Sequence, residues 1–151
     1  VLSRLPATIP LADEAATEAL GRRLAPSLRP GEAICLSGGL GAGKSCLARA
    51  LIRALTTPDE EAPSPTFTLV QTYPGRDFEV AHFDLYRLED PDEAWEIGLE
   101  EALHHGAALI EWPERLQGRL PPDRLDLELL VSGAGRTARL TGHGTWKERV
   151  G

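Results

Sequence analysis

The chain has 151 residues, 42% of them hydrophobic and 26% charged, with a formal net charge of −7. That length suits one domain with a real core, and the composition is that of an ordinary soluble globular protein. It excludes a membrane-spanning helix, for which no apolar run is long enough, and a chain this acidic lacks the basic face with which proteins grip a phosphate backbone unaided.

The opening run, Val1 to Glu14, is too broken by proline and charge for a secretory signal, so a cytosolic protein is expected. Asp13 to Leu28 reads as a helix: Asp13 suits an N-cap, and Ala16, Leu20 and Leu24 repeat at helical spacing. Pro30-Gly31 makes a turn, and Ala33 to Ser37 is a short apolar strand. A glycine-rich loop follows, then a helix over Lys44 to Leu55, the order a phosphate-binding unit requires.

Thr57 to Pro65 is a polar, proline-containing loop. Thr66 to Tyr73 and Phe78 to Tyr86 read as strands joined by the turn Pro74-Gly75-Arg76-Asp77, a hairpin. Pro91 to Leu103 is helical with a break near Gly98 and with Trp95 in the helix core, and Ala107 to Trp112 is a short apolar strand. Leu125 to Val131 and Thr137 to Thr141 form a last hairpin around Gly133-Ala134-Gly135. Early strand–helix alternation followed by hairpins predicts a three-layer α/β domain over residues 1–151, P-loop-like, with a mixed, mostly parallel sheet.

Charge is uneven along the chain: residues 1–57 carry net +3, residues 58–103 net −11 and residues 104–151 net +1. The acidic middle would repel RNA, so any nucleic-acid role is expected to pass through a partner protein. Cys35 and Cys46 have no metal-type spacing; in a reducing compartment they act as small hydrophobes, with a redox switch as the less favoured reading.

Gly38-Gly39-Leu40-Gly41-Ala42-Gly43-Lys44-Ser45 matches G-x-x-x-x-G-K-[ST] in full. Glycines allow backbone angles that turn bare N–H groups onto phosphate oxygens. The following helix contributes N-terminal donors and its dipole. Lys44 brings a point charge to the outer phosphates, and Ser45 a hydroxyl for Mg²⁺. Such a site also needs a carboxylate from a neighbouring strand. Asp84 and Glu111 both stand near the ends of apolar strands, each either a metal carboxylate or a surface acid at a strand exit. Thr66 is either a sensor of the outer phosphate or a strand-starting threonine. His82 reads as a packed, hydrogen-bonded histidine rather than a base, and Trp112 as a buried tryptophan or a residue closing the site.

Four blocks occur in this order and spacing: the glycine loop, Ser64-Pro65-Thr66-Phe67-Thr68-Leu69-Val70, His82-Phe83-Asp84-Leu85-Tyr86-Arg87 and Ile110-Glu111-Trp112-Pro113-Glu114. Together with the run Ile9 to Gly21 they resemble the bacterial TsaE family, the ATPase of tRNA threonylcarbamoyladenosine biosynthesis. The resemblance implies an ATP-binding, Mg²⁺-dependent protein that hydrolyses ATP slowly by itself. It implies two partner proteins that place the threonylcarbamoyl group on an adenosine beside the anticodon, with the ATP cycle resetting their complex and tRNA met only indirectly. Carried over residue by residue, it puts Lys44 on the phosphates, along with the loop from Gly38 through Cys46. Ser45 and Glu111 fall on Mg²⁺, Asp84 beside the metal or attacking water, and Thr66 in a switch-like segment. Glu14, Thr17 and Arg136 fall near the base. The chain departs from the family at Gly39, where Asp is common, and at Ser45 and Cys46, where Thr is common; Ser45 keeps the hydroxyl.

Three other functions fit parts of the pattern. A small-molecule kinase would need an acceptor site and lid for which little chain remains. A GTP switch would need N-K-x-D and D-x-x-G motifs after the loop, which are missing. A nucleotide-stabilised scaffold without useful hydrolysis stays open.

Overall fold

The computed structural model describes residues 4–39, 41–62, 69–96 and 98–151. In chain order these form β1 (Thr8–Leu11), α1 (Glu14–Leu24), β2 (Ala33–Ser37), α2 (Lys44–Leu55), β3 (Val70–Pro74), β4 (Glu79–Asp84), α3 (Pro91–Glu96), α4 (Leu99–His105), β5 (Gly106–Glu111), β6 (Arg124–Ser132) and β7 (Gly135–His143). Short 3₁₀ turns cover Ala25–Ser27, Pro113–Leu116 and Gly144–Arg149.

All strands join one sheet in the order β1-β7-β6-β2-β5-β4-β3. Its centre, β6-β2-β5-β4, is parallel. The antiparallel strands β7 and β1 extend one side and β3 the other. A parallel centre is covered on both faces, and the sequence of β2 is correspondingly apolar without alternation. Ile34 and Leu36 face a core built with Leu20, Leu24, Leu47, Leu51 and Ile52 of α1 and α2. Ala33 and Cys35 face a second core with Phe83, Ile110, Ala94, Leu99 and Leu116. Fully burying one such leucine contributes about 1.5–3 kcal/mol. Among the described residues no helix is long and apolar enough to cross a membrane.

Several boundaries differ from those the sequence suggests. The first α-helix stops at Leu24 instead of Leu28, because Pro26 lacks the N–H that would bond back to Arg22 and the chain tightens into a 3₁₀ turn. Strand β1, which the sequence pattern does not reveal, pairs with β7 in the register Thr8↔Arg139 to Leu11↔Arg136. It carries Pro10, a residue tolerated on an edge strand. The helical run 91–103 divides into α3 and α4 at the expected break, with Gly98 at φ 110°. Trp95 in α3 is half-buried against the second core. Both predicted hairpins form, β3–β4 and β6–β7. The first part of the predicted strand Thr66 to Tyr73 lies outside the described residues.

The C-terminal 3₁₀ turn is fastened to the start of β2 by Glu32, which is 3% exposed. The Glu32 carboxylate accepts two bonds of 2.8 Å from the Arg149 guanidinium, one of 2.6 Å from the Thr145 hydroxyl and one of 3.0 Å from the Arg29 N–H. Burial pushes the carboxyl pKa up, but these donors outweigh it and hold it below the ordinary value. Arg149 also lies 4.7 Å from the ring centroid of the buried Trp146.

Candidate functional site

The carboxyl ends of parallel strands are where open α/β sheets bind ligands, and here β2, β4 and β5 end together. Register places Asp84 opposite Glu111, and Glu111 beside Leu36 at the end of β2. The chain leaves β2 through the glycine loop and turns directly into α2.

Two glycines of that loop are set by geometry. Gly38 holds φ +138°, and a Cβ there would stand 2.6 Å from the Leu129 carbonyl oxygen of β6. Gly43, at φ +106°, is the residue from which α2 starts, in the left-handed region that side chains disfavour. The first turn of α2 thus points its amides past Gly43 into a cavity of about 530 Å³.

That cavity collects most of the residues the sequence singles out. Gly39, Gly41, Ala42, Gly43, Lys44, Ser45 and Cys46 line it, as do Asp84, Glu111, Glu14, Thr17 and Arg136. Gly38 backs the loop against β6. Leu40 and Thr66 lie outside the described residues. Leu11, Asp13, Tyr86, Ala134 and Gly135 also line the cavity, residues that the sequence marks as cap, turn or block members without giving them a role at the site.

Lys44 is 6% exposed. Its ammonium donates to the carbonyls of Gly38 and Gly39, the latter at 3.2 Å, and lies 3.8 Å from the Trp112 ring centroid. Burial lowers its pKa, while the nearby Glu111, Glu114 and Asp84 charges raise it. Trp112 reaches this position from a left-handed backbone, φ 61°, a conformation that costs a bulky residue about 1–3 kcal/mol. Its ring leans on Tyr86 at 4.9 Å between centroids. Of the two readings the sequence leaves for Trp112, each holds in part: it is half-buried against the second core and also faces the loop lysine at the cavity.

Asp84 accepts the Tyr86 N–H at 3.1 Å. Burial raises its pKa, as does the Glu111 charge, against that bond and the His82 and Lys44 charges. Glu111 is 2% exposed and His82 1%, and His82 Nε2 stands 2.6 Å from Glu111 Oε2. His82 Nδ1 has no partner among the described residues. A carboxylate accepts but does not donate, so Nε2 carries the proton. His82 is packed and hydrogen-bonded, as the sequence suggests, and its partner is Glu111.

At the opposite end, Asp13 caps α1 by accepting the Ala16 N–H at 2.9 Å. Arg136 donates to the Gly41 carbonyl at 3.1 Å, joining β7 to the glycine loop. Cys46 Sγ is 3.9 Å from Glu14 Oε1. Burial and the Glu14 and Glu18 charges raise the Cys46 pKa, and burial pushes Cys35 up to about 12. Both thiols are thus held protonated, the reverse of what a reactive cysteine needs.

The donor set suits a magnesium nucleotide. Gly39 and Gly41 are positions where an added Cβ would meet nothing, so the backbone is open to a close-fitting anion. Ser45, Asp84 and Glu111 offer hard oxygens, the type Mg²⁺ takes.

Residues 11–139 match the family described as threonylcarbamoyl adenosine biosynthesis protein TsaE. The tRNA threonylcarbamoyladenosine biosynthesis protein TsaE of Rickettsia felis is 41% identical over 121 residues, 80% of this chain and 71% of that protein. The protein of the same name from Bacillus subtilis is 33% identical over 118 residues, covering 78% and 73%. The crystal structure of Bacillus subtilis YdiB superposes with a TM-score of 0.76 at 26% identity, over 93% of this chain and 88% of that one. The sheet with its glycine loop, the cavity at the strand ends and these matches lead to one statement: the chain belongs to the TsaE family.

Proposed function

We propose that this chain binds ATP with Mg²⁺, hydrolyses it slowly, and through that cycle supports tRNA threonylcarbamoyladenosine synthesis carried out by two partner proteins. Membership of the family supports the role in that biosynthesis. The observation that carries the nucleotide chemistry is the meeting of Lys44, Ser45, Asp84 and Glu111 in one cavity, at the N-terminus of α2.

In this reading the loop amides from Gly39 to Ser45 bind the phosphates and orient them in line with α2. Lys44 leaves its carbonyl partners and places its charge on the outer phosphates. Ser45 and Glu111 would hold Mg²⁺, and Asp84 would order the metal's surroundings or the attacking water. The ion supplies charge neutralisation at the phosphates when bound. Thr17, Glu14 and Arg136 flank the base, and Trp112 shields the lysine side from solvent. The chain does not transfer the threonylcarbamoyl group; its output is a change in the partner complex.

The test is reconstitution. The two partner proteins, tRNA, ATP and threonine are combined with and without this chain, and modified adenosine is scored over several turnovers. Sustained modification only in its presence is expected; equal yields without it would overturn the reading. A parallel screen for phosphoryl transfer from ATP to small metabolites separates this function from that of a kinase.

A further inference from the structure

The pair His82–Glu111 is buried, and its histidine is never in contact with the cavity: Glu111 lines it, His82 does not. Register explains the arrangement. On the parallel pair β4–β5, His82 lies opposite Leu109 and Asp84 opposite Glu111, so all four share the sheet face under α2. His82 therefore reaches diagonally, two residues along, to the last residue of β5. A leucine or phenylalanine would fill that place without leaving Nδ1 unpartnered among the described residues. What the imidazole adds is its Nε2–H on Glu111 Oε2 at 2.6 Å.

A glutamate has several rotatable bonds, and of the carboxylates near Lys44 the charge of Glu111 acts on that ammonium most. An unpinned Glu111 is free to turn its carboxylate off the metal position. We propose that His82 is a positioning residue: by holding Oε2 of Glu111 it keeps the carboxylate aimed so that its second oxygen meets the Mg²⁺ of a bound nucleotide. This rests on the functional reading above, in which Glu111 is a metal ligand.

The test uses the full chain and reads binding. Affinity for a non-hydrolysable ATP analogue is measured with and without Mg²⁺, and Mn²⁺ binding to the nucleotide complex is followed by electron paramagnetic resonance. His82→Leu is expected to weaken the metal about tenfold, the scale of losing a group that orients a metal ligand, while leaving metal-free nucleotide affinity in place. His82→Gln, whose amide reaches the Nε2 position, restores metal affinity to within about threefold of wild type. His82→Asn, whose amide stops short, behaves like His82→Leu and serves where the leucine variant folds poorly. In a Glu111→Gln background, His82→Leu adds nothing further.

A His82→Leu protein with a lowered melting temperature but wild-type metal affinity would overturn the proposal, since His82 would then be only packing. Losses that add to those of Glu111→Gln would overturn it too. Failure of the functional reading looks different: the wild-type chain itself would bind nucleotide with no metal dependence.

Discussion

Replacing Lys44 with alanine removes the positive side chain that feels the Asp84 and Glu111 charges in the cavity. Two unit charges 4 Å apart are worth about 4 kcal/mol at an effective dielectric constant of about 20. Lys44 cannot deliver all of it, because its ammonium must first leave the carbonyls of Gly38 and Gly39 and the Trp112 face. The net figure for a hydrogen bond to a charged group, about 1.5–3 kcal/mol, is the better guide. The upper half of that range applies, since the remaining Asp84 and Glu111 carboxylates would then repel the triphosphate. Lys44→Ala is expected to weaken ATP binding by about 2–3 kcal/mol, or roughly 30- to 150-fold. Calorimetric titration with a non-hydrolysable analogue and Mg²⁺ measures it, with the melting temperature as a check on folding. An affinity within twofold of wild type in a fully folded variant would refute the assignment of this loop to phosphate.

Other expectations follow from the same geometry. Glu111→Gln should remove most of the Mg²⁺ dependence of nucleotide binding, about tenfold in apparent metal affinity; a metal titration matching wild type would take Glu111 off the metal. Arg149→Ala leaves the Glu32 carboxylate buried without its guanidinium and should cost about 2–4 kcal/mol, discounting the usual cost of breaking a buried pair for the partial exposure of Arg149. Because the native Glu32 pKa is lowered, the wild-type advantage is complete above the ordinary value of 4.5 and shrinks as pH falls through the native one. Denaturant melts of both proteins across that range check the sign, and a gap that widens in acid contradicts it. The isolated chain should not bind tRNA tightly at physiological salt, since Glu89, Asp90, Asp92, Glu93, Glu96, Glu100 and Glu101 are all exposed; sub-micromolar binding by filter assay would reverse the partner-mediated view.

The sequence made the glycine loop readable because everything it needs is local: a strand, eight residues and a helix in succession. Asp84 and Glu111 were readable as strand-end acids, but their facing each other is a matter of register between strands. What the sequence hid was built from distant parts. Strand β1 is four residues long, includes Pro10, and exists through bonds to β7 more than a hundred residues later. The His82–Glu111 bond spans 29 residues, and the Arg136–Gly41 bond spans 95. Arg149 and Glu32, 117 apart, carry no local signature at all. For Trp112 the sequence leaves core and site-closing readings open, and its left-handed backbone is what turns the ring onto Lys44 while it still packs on the second core.

The pairing of β1 with β7 bears on how the protein is made. A ribosome delivers the glycine loop before one wall of the cavity, Ala134 to Arg136, since Arg136 follows Gly41 by 95 residues. Until then β1 has no neighbour and Arg136 cannot brace Gly41. Nascent chains arrested before β7 would thus carry the glycine loop without its enclosure, so the cavity is completed in one step when β7 pairs, as expected where contacts distant in sequence complete the structure.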